Sequence, residues 1–177
     1  MSAVLPSSID PRRALREGGR LDGRWPAAQC GRLAAAVERV LDDIGLSLTL
    51  NARGRAIALG GRITARVELI CQRCLARFEW RIDDELDLIV YPDGAPAREE
   101  EGDVLELDDE GRIATGAWLE DEVLLRLPLI ARHAEAAACD PGMIGLADRL
   151  RAEAEAARAA ANPFAVLARG GGRNDDV

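Results

Sequence analysis

Four side chains in this sequence have the types and spacing to hold a metal ion. Cys71 and Cys74 form a C-x-x-C pair, the spacing of half a tetrahedral zinc site. His133, the one histidine of the chain, stands shortly before Cys139. Together the four make a Cys3His set, whose thiolates and imidazole suit zinc, provided the fold brings the two distant halves together. The competing explanation is structural. His133 follows a helix end, where a cation suits the dipole, and Cys139 is then a small core residue. The remaining cysteine, Cys30, falls on a predicted helix and reads as buried and inert.

Other chemistries find no matching pattern. His133-Ala134-Glu135 has the H-x-E of zinc deaminases, but the C-x-x-C lies upstream of it and lacks the preceding proline. A thioredoxin-like pair would lead into a helix, whereas Cys71 and Cys74 join two predicted strands. Gly170-Gly171-Gly172 has no helix after it and so is no phosphate loop. Asp108-Asp109-Glu110-Gly111 lacks the spacing of a calcium loop. The reading is a protein without catalytic residues. The alternative is a zinc- or thiol-dependent RNA-processing or redox enzyme using Cys71 and Cys74.

The element that must position the C-x-x-C is a hairpin. Before it, Ile63, Ala65, Val67 and Leu69 alternate with polar residues; after it, Ala76, Phe78, Trp80 and Ile82 do the same. Such alternation marks half-buried strands. With Gln72-Arg73 as the turn, Val67 faces Phe78, Ala65 faces Trp80 and Ile63 faces Ile82. On the opposite side Arg66 faces Glu79, Glu68 faces Arg77 and Arg62 faces Asp83. Opposite charges and apolar pairs in one register favour an antiparallel hairpin over residues 62–83. Gln72-Arg73 is nevertheless a poor two-residue turn, since neither residue readily takes positive φ. Either the loop is longer or a metal holds it.

The other elements follow from periodicity and breakers. Residues 1–20, with Pro6, Pro11 and Gly18-Gly19, read as a flexible N-terminal arm. A helix is expected from Trp25-Pro26 to Val40, then strands at Leu46–Leu50 and Ile57–Leu59, with a bulge at Gly60-Gly61. Ile82–Val90 continues the outgoing strand to Pro92-Asp93-Gly94. Residues 94–103, with Glu99-Glu100-Glu101, read as a solvated acidic loop, and residues 104–107 as a short strand. Thr115 is expected to cap a helix over residues 116–127, ended by Pro128. An exposed alanine-rich helix is expected over residues 144–160. Asn162-Pro163-Phe164-Ala165-Val166-Leu167 is an apolar island in a polar tail, with Asn162, Pro163, Phe164 and Leu167 as candidates for docking a partner. The fold class expected is α+β: an antiparallel β-sheet or partly open barrel built on the central hairpin, with flanking helices and a flexible C-terminal tail. The divisions are an arm at 1–20, a single domain at 21–143 and a C-terminal segment at 144–177.

Composition narrows the partners. In 177 residues there is no apolar run long enough to cross a membrane, and the N-terminus lacks the pattern of a secretory signal, so the cytoplasm is the expected compartment. All 23 basic residues are arginine. Residues 1–81 hold 14 Arg against 8 Asp and Glu, a net of +6, while the rest of the chain carries −14. The overall −8 opposes non-specific nucleic-acid binding, so any phosphate contact must use the basic half. Arg53, Arg55, Arg73 and nearby arm residues are the candidates, while Arg62, Arg66 and Arg77 are already offset by cross-strand carboxylates. Arg73, at the hairpin tip, is the first choice.

Four stretches in this order, 69–78 (LICQRCLARF), 119–128 (LEDEVLLRLP), His133 to Cys139, and 162–167 (NPFAVL), resemble the large ribosomal RNA subunit accumulation protein family, the YceD family. The resemblance runs from about residue 20 to 168. It implies a small, acidic, cytosolic bacterial protein without enzymatic activity that acts in synthesis, processing or stability of the large-subunit (23S) rRNA. The implied partners are that rRNA, its precursor particle or a basic ribosomal protein, with no membrane and no small-molecule substrate. Some relatives carry a second C-x-x-C where this chain has His133 and Cys139.

Overall fold

The hairpin expected at the centre is present and forms the longest strand pairing. The structure, a computed structural model, describes residues 3–94 and 103–161. In chain order the elements are β1 (Ser8–Ile9), α1 (Pro11–Arg16), β2 (Arg20–Trp25), a 3-10 turn (Ala27–Gln29), α2 (Gly31–Ala36), β3 (Arg39–Val40), β4 (Ile44–Arg53), β5 (Ala56–Ile70) and β6 (Arg77–Val90). There follow β7 (Asp103–Val104), β8 (Ile113–Ala114), α3 (Thr115–Leu125), a second 3-10 turn (Ala136–Ala138) and α4 (Pro141–Ala161). The fold is α+β, an open and mostly antiparallel sheet with flanking helices, of strand order β2-β4-β5-β6-β7. β3 also pairs β5, β7 runs parallel to β6, and β1 pairs β8 as a separate ribbon. The chain divides into two compact units, Met1–Ile70 with Arg77–Ala131, and Cys71–Ala76 with Arg132–Val177.

Alternation decides which side of the sheet becomes the core of the first unit. Ile44, Leu46 and Leu48 of β4, Leu59, Ile63 and Val67 of β5, and Leu86 and Leu88 of β6 are buried in one cluster. Leu33 of α2 and Trp118, Leu119 and Val123 of α3 join the same cluster. Full burial of a side chain such as Leu33, Leu59 or Leu119 contributes about 1.5–3 kcal/mol each. The opposite face, with Ser47, Thr49, Arg62 and Arg81, is exposed.

Like any α-helix, α2 leaves its first amides without an acceptor of its own, and α3 supplies one. The Leu33 amide donates to Glu120 Oε2 at 2.7 Å in a buried position. Arg32 donates to Asp121 Oδ1 at 2.6 Å and to the Ala117 carbonyl. A carboxylate at a helix N-terminus is favoured by both the open N–H group and the dipole. That accounts for an acidic residue, Glu120, being only 6% exposed.

The central register differs from the expected one by two residues. Val67 faces Trp80 rather than Phe78, Leu69 faces Phe78, and Arg66 faces Arg81 rather than Glu79. The cause is the loop, which spans Cys71–Ala76 instead of Gln72-Arg73. Because the shift is even, each side chain keeps its face. The three expected ion pairs also survive, as diagonal neighbours within reach of long side chains: Arg66 with Glu79, Arg77 with Glu68, and Arg62 with Asp83.

Other expectations are corrected by packing. The helix expected from Trp25 to Val40 is a strand end, a 3-10 turn, six residues of α2 and then β3. No bulge occurs at Gly60-Gly61, where pairing runs unbroken on both sides. Gly61 is there because a Cβ would run into the Ser47 carbonyl of the neighbouring strand. The stretch read as an extended arm contains α1, and Leu5 and Ile9 are buried in the core. Thr115 lies inside α3 with a buried hydroxyl that has no described partner, so it is not a cap. The strand expected over 104–107 is only the two residues of β7. Helix α4 begins at Pro141, with Asp140 accepting from the Met143 amide at 2.9 Å. Asn162, Pro163, Phe164 and Leu167, and Glu99–Glu101, lie outside the described residues.

Candidate metal centre

The loop Cys71–Ala76 is built around one sulfur. The Cys71 amide donates to the Ala76 carbonyl at 2.9 Å, and the Leu75 amide returns to the Cys71 carbonyl at 2.8 Å. Closing the loop this way places Leu75 at φ 60°, a left-handed conformation unusual for a leucine. The amides of Arg73 and Cys74 are thereby turned toward the Cys71 sulfur. On the other side, the 3-10 turn at Ala136–Ala138 delivers Cys139, whose amide donates to Ala136, and Asp140-Pro141 then opens α4.

The four ligand atoms converge. Cys71 Sγ lies 3.9 Å from Cys139 Sγ. His133 Nδ1 lies 3.6 Å from Cys74 Sγ and 3.5 Å from Cys139 Sγ. All four atoms lie within 4.8 Å of one another, and the three sulfurs are buried. A tetrahedral zinc, with bonds of about 2.3 Å to sulfur and about 2.0 Å to nitrogen, has edges of about 3.8 Å between sulfurs and about 3.5 Å between sulfur and nitrogen. The three contacts match those edges closely. The residues present fit the ion.

Electrostatics point the same way. Burial pushes the Cys71 thiol up, but the amides of His133, Arg73 and Cys74 directed at its sulfur outweigh burial, so its pKa falls well below the usual thiol value. Cys139 moves upward, through burial and then through the adjoining sulfurs of Cys74 and Cys71. Sulfurs this close cannot all ionise by themselves; a divalent cation removes that conflict.

Arg73 is not the free cation that the sequence implied. Its Nη1 lies 3.8 Å from Cys139 Sγ, where it adds positive charge to the sulfur cluster. Arg53 and Arg55 are exposed, at the end of β4 and in the following turn, and neither forms an ion pair with a described residue. Cys30 is 1% exposed at the start of α2, and its thiol is pushed up to about 11 by burial, with Glu120 and Asp43 adding to the effect. It stands apart from the cluster. What the sequence did not reveal is the part played by Arg73 and the backbone amides. The left-handed residue after the second cysteine, Leu75, carries no glycine to mark it.

Fold and site together define an α+β protein with an open sheet and a Cys3His group that could hold a metal ion. The chain belongs to the large ribosomal RNA subunit accumulation protein YceD family, whose model matches residues 59–169. It is 30% identical over 173 residues to Large ribosomal RNA subunit accumulation protein YceD of Haemophilus influenzae, covering 93% of this chain and 94% of that protein. No solved structure matches the chain. The family is named for rRNA accumulation and not for an enzymatic activity. No helix of the described residues is long and apolar enough to cross a membrane.

Proposed function

We propose that this protein is a non-enzymatic, cytoplasmic factor in the synthesis, processing or stability of large-subunit rRNA, and that Cys71, Cys74, His133 and Cys139 hold a structural zinc ion. The observation that supports the zinc reading is the convergence of four ligand atoms from two distant stretches to within 4.8 Å of one another, with three of the separations at tetrahedral edge lengths. With four protein ligands no position is left for water or substrate, so the ion would organise the chain and not activate a reactant. The role in rRNA rests on family membership. Contact with rRNA or with a basic ribosomal protein is part of the proposal, with Asn162, Pro163, Phe164 and Leu167 as a docking motif for the assembling particle.

Two measurements test the two parts. Elemental analysis of the protein, purified without chelator, should give one zinc per chain, and Cys74→Ser with Cys139→Ser should give none. A metal content near zero in the unaltered protein would remove the zinc centre. Depleting the protein from its host should lower mature large-subunit rRNA relative to small-subunit rRNA; an unchanged ratio would remove the proposed role.

A further inference from the structure

The arginines of the first unit are held unequally, and on the hairpin itself Arg62 and Arg81 each have one carboxylate, Asp83 and Glu79. On and beside the hairpin, Arg66 is bound by Asp42 and Glu79, Arg77 by Glu38 and Glu68, and Arg126 by Asp84 and Glu122. Each of these cations is shared between two carboxylates and has little left to offer a phosphate. At the other end of the sheet the situation is reversed. Arg16, Arg53 and Arg55 pair with no described carboxylate. Arg12, Arg13 and Arg112 each have one, Asp93, Glu17 and Glu110, in pairs whose members are all more than 45% exposed. Exposed single pairs of this kind are weak and open to exchange.

These six residues share one end of the fold. The Leu50 amide donates to the Gly19 carbonyl at 2.7 Å, which fastens the exit of α1 to the last turn of β4 before Arg53. Arg12 reaches Asp93, just beyond the end of β6, and β6 ends where Val90 faces Ile57 beside the Gly54-Arg55 turn. Asp10 turns its carboxylate back onto the amides of Arg13 and Arg12, and the charges of Arg16 and Arg112 also reach it. Its charge is therefore committed to the start of α1.

We infer that this end of the sheet, formed by Arg12, Arg13, Arg16, Arg53, Arg55 and Arg112, is a docking surface for the phosphate backbone of RNA. The inference rests on the proposed role in large-subunit rRNA, and it locates the contact away from Arg73 and the hairpin tip. Guanidinium groups on a phosphate backbone position RNA without selecting its sequence. A chain of net charge −8 needs such a concentrated site, since its whole-molecule field repels RNA.

The test is the salt dependence of binding to deproteinised large-subunit rRNA. Replacing Arg16, Arg53 and Arg55 together with Ala removes about three phosphate contacts. The slope of log K against log salt should fall by about 2, and affinity at 0.1 M salt by about a hundred-fold. Arg66→Ala, which removes a doubly held cation, should leave the slope unchanged. Equal melting temperatures for the variants and the parent establish that folding is intact. If the parent binds rRNA and the triple variant keeps the full slope, the surface is wrong while the rRNA role stands. If the parent binds precursor particles but no bare rRNA, the direct contact with RNA fails, and a loss of particle binding in the triple variant would assign the surface to an acidic protein instead.

Discussion

The two units of this chain are held together by different physics. The first buries Ile44, Leu59, Ile63, Val67, Leu119 and Val123 almost completely, in one continuous apolar cluster that spans three long strands and two helices. In the described part of the second, the buried side chains are those of Cys71, Cys74 and Cys139. Helix α4 has no buried residue along its 21 positions. An apolar core repays chain entropy by area; three thiols cannot. A small unit with so little buried carbon needs a staple, and the proposed metal, bound only by the folded state, would supply one.

The comparison breaks most visibly if metal is taken away. Chelation, or Cys71→Ser with Cys74→Ser, should unfold Arg132–Ala161 and leave the sheet intact, because a structural zinc is worth about 10–16 kcal/mol to the segment it organises. Circular dichroism should show loss of the α4 helical signal, and limited proteolysis should cut after Arg149, Arg151 or Arg158 while sparing β4–β6. Unchanged helicity and protection after complete metal removal would mean that the second unit stands without its staple.

The first unit should respond in the opposite way. Leu59→Ala, at a position with no exposure, should cost about 2–5 kcal/mol in chemical denaturation. Its metal content should remain that of the parent. A loss of metal in parallel with stability would show that the two units do not answer to separate forces.

The smallest effect sharpens the picture at a single residue. Leu75 holds φ 60° while 64% exposed, so its side chain contributes little and its backbone conformation costs something. Leu75→Gly should tighten metal retention against a competing chelator by up to about five-fold, the equivalent of about 1 kcal/mol. Weaker retention would mean that leucine at this position makes contacts worth more than the strain it carries.

How legible all this was depended on whether a signal was local. Two-residue alternation through Ile63–Leu69 and Phe78–Ile82 located the hairpin and its buried face, because burial acts on each residue in turn. The register was not legible, since it depends on how many residues the loop consumes and Gln72-Arg73 mimics a short turn without its chemistry. Asp10-Pro11 and Asp140-Pro141 are the same helix-opening signature, a capping carboxylate before a proline in the first turn, and each starts a helix here. As a sequence signal Pro11 reads equally well as a breaker, and the alanine-rich stretch marks the second helix only from residue 144. The short α2 could not be foreseen, because the acceptor for its Leu33 amide comes from Glu120, 87 residues away in the chain. The Cys3His set was complete in composition, but only the fold could bring its halves together.

The diagonal ion pairs across β5 and β6 have one more consequence. On two rungs like faces like, Arg66 opposite Arg81 and Glu68 opposite Glu79, while Arg62 stands opposite Glu85. Three ion pairs lie one step along the same diagonal, Arg66 to Glu79, Arg77 to Glu68 and Arg62 to Asp83. A right-handed twist draws one diagonal of an antiparallel pair together and spreads the other. Three contacts that are individually worth little therefore act with the same sign on a single coordinate. Flattening the hairpin would weaken all of them at once and leave the repelling rungs in place. Flat, stacked ribbons are the geometry of fibrils, so a charge pattern of this kind disfavours that geometry for the two longest strands.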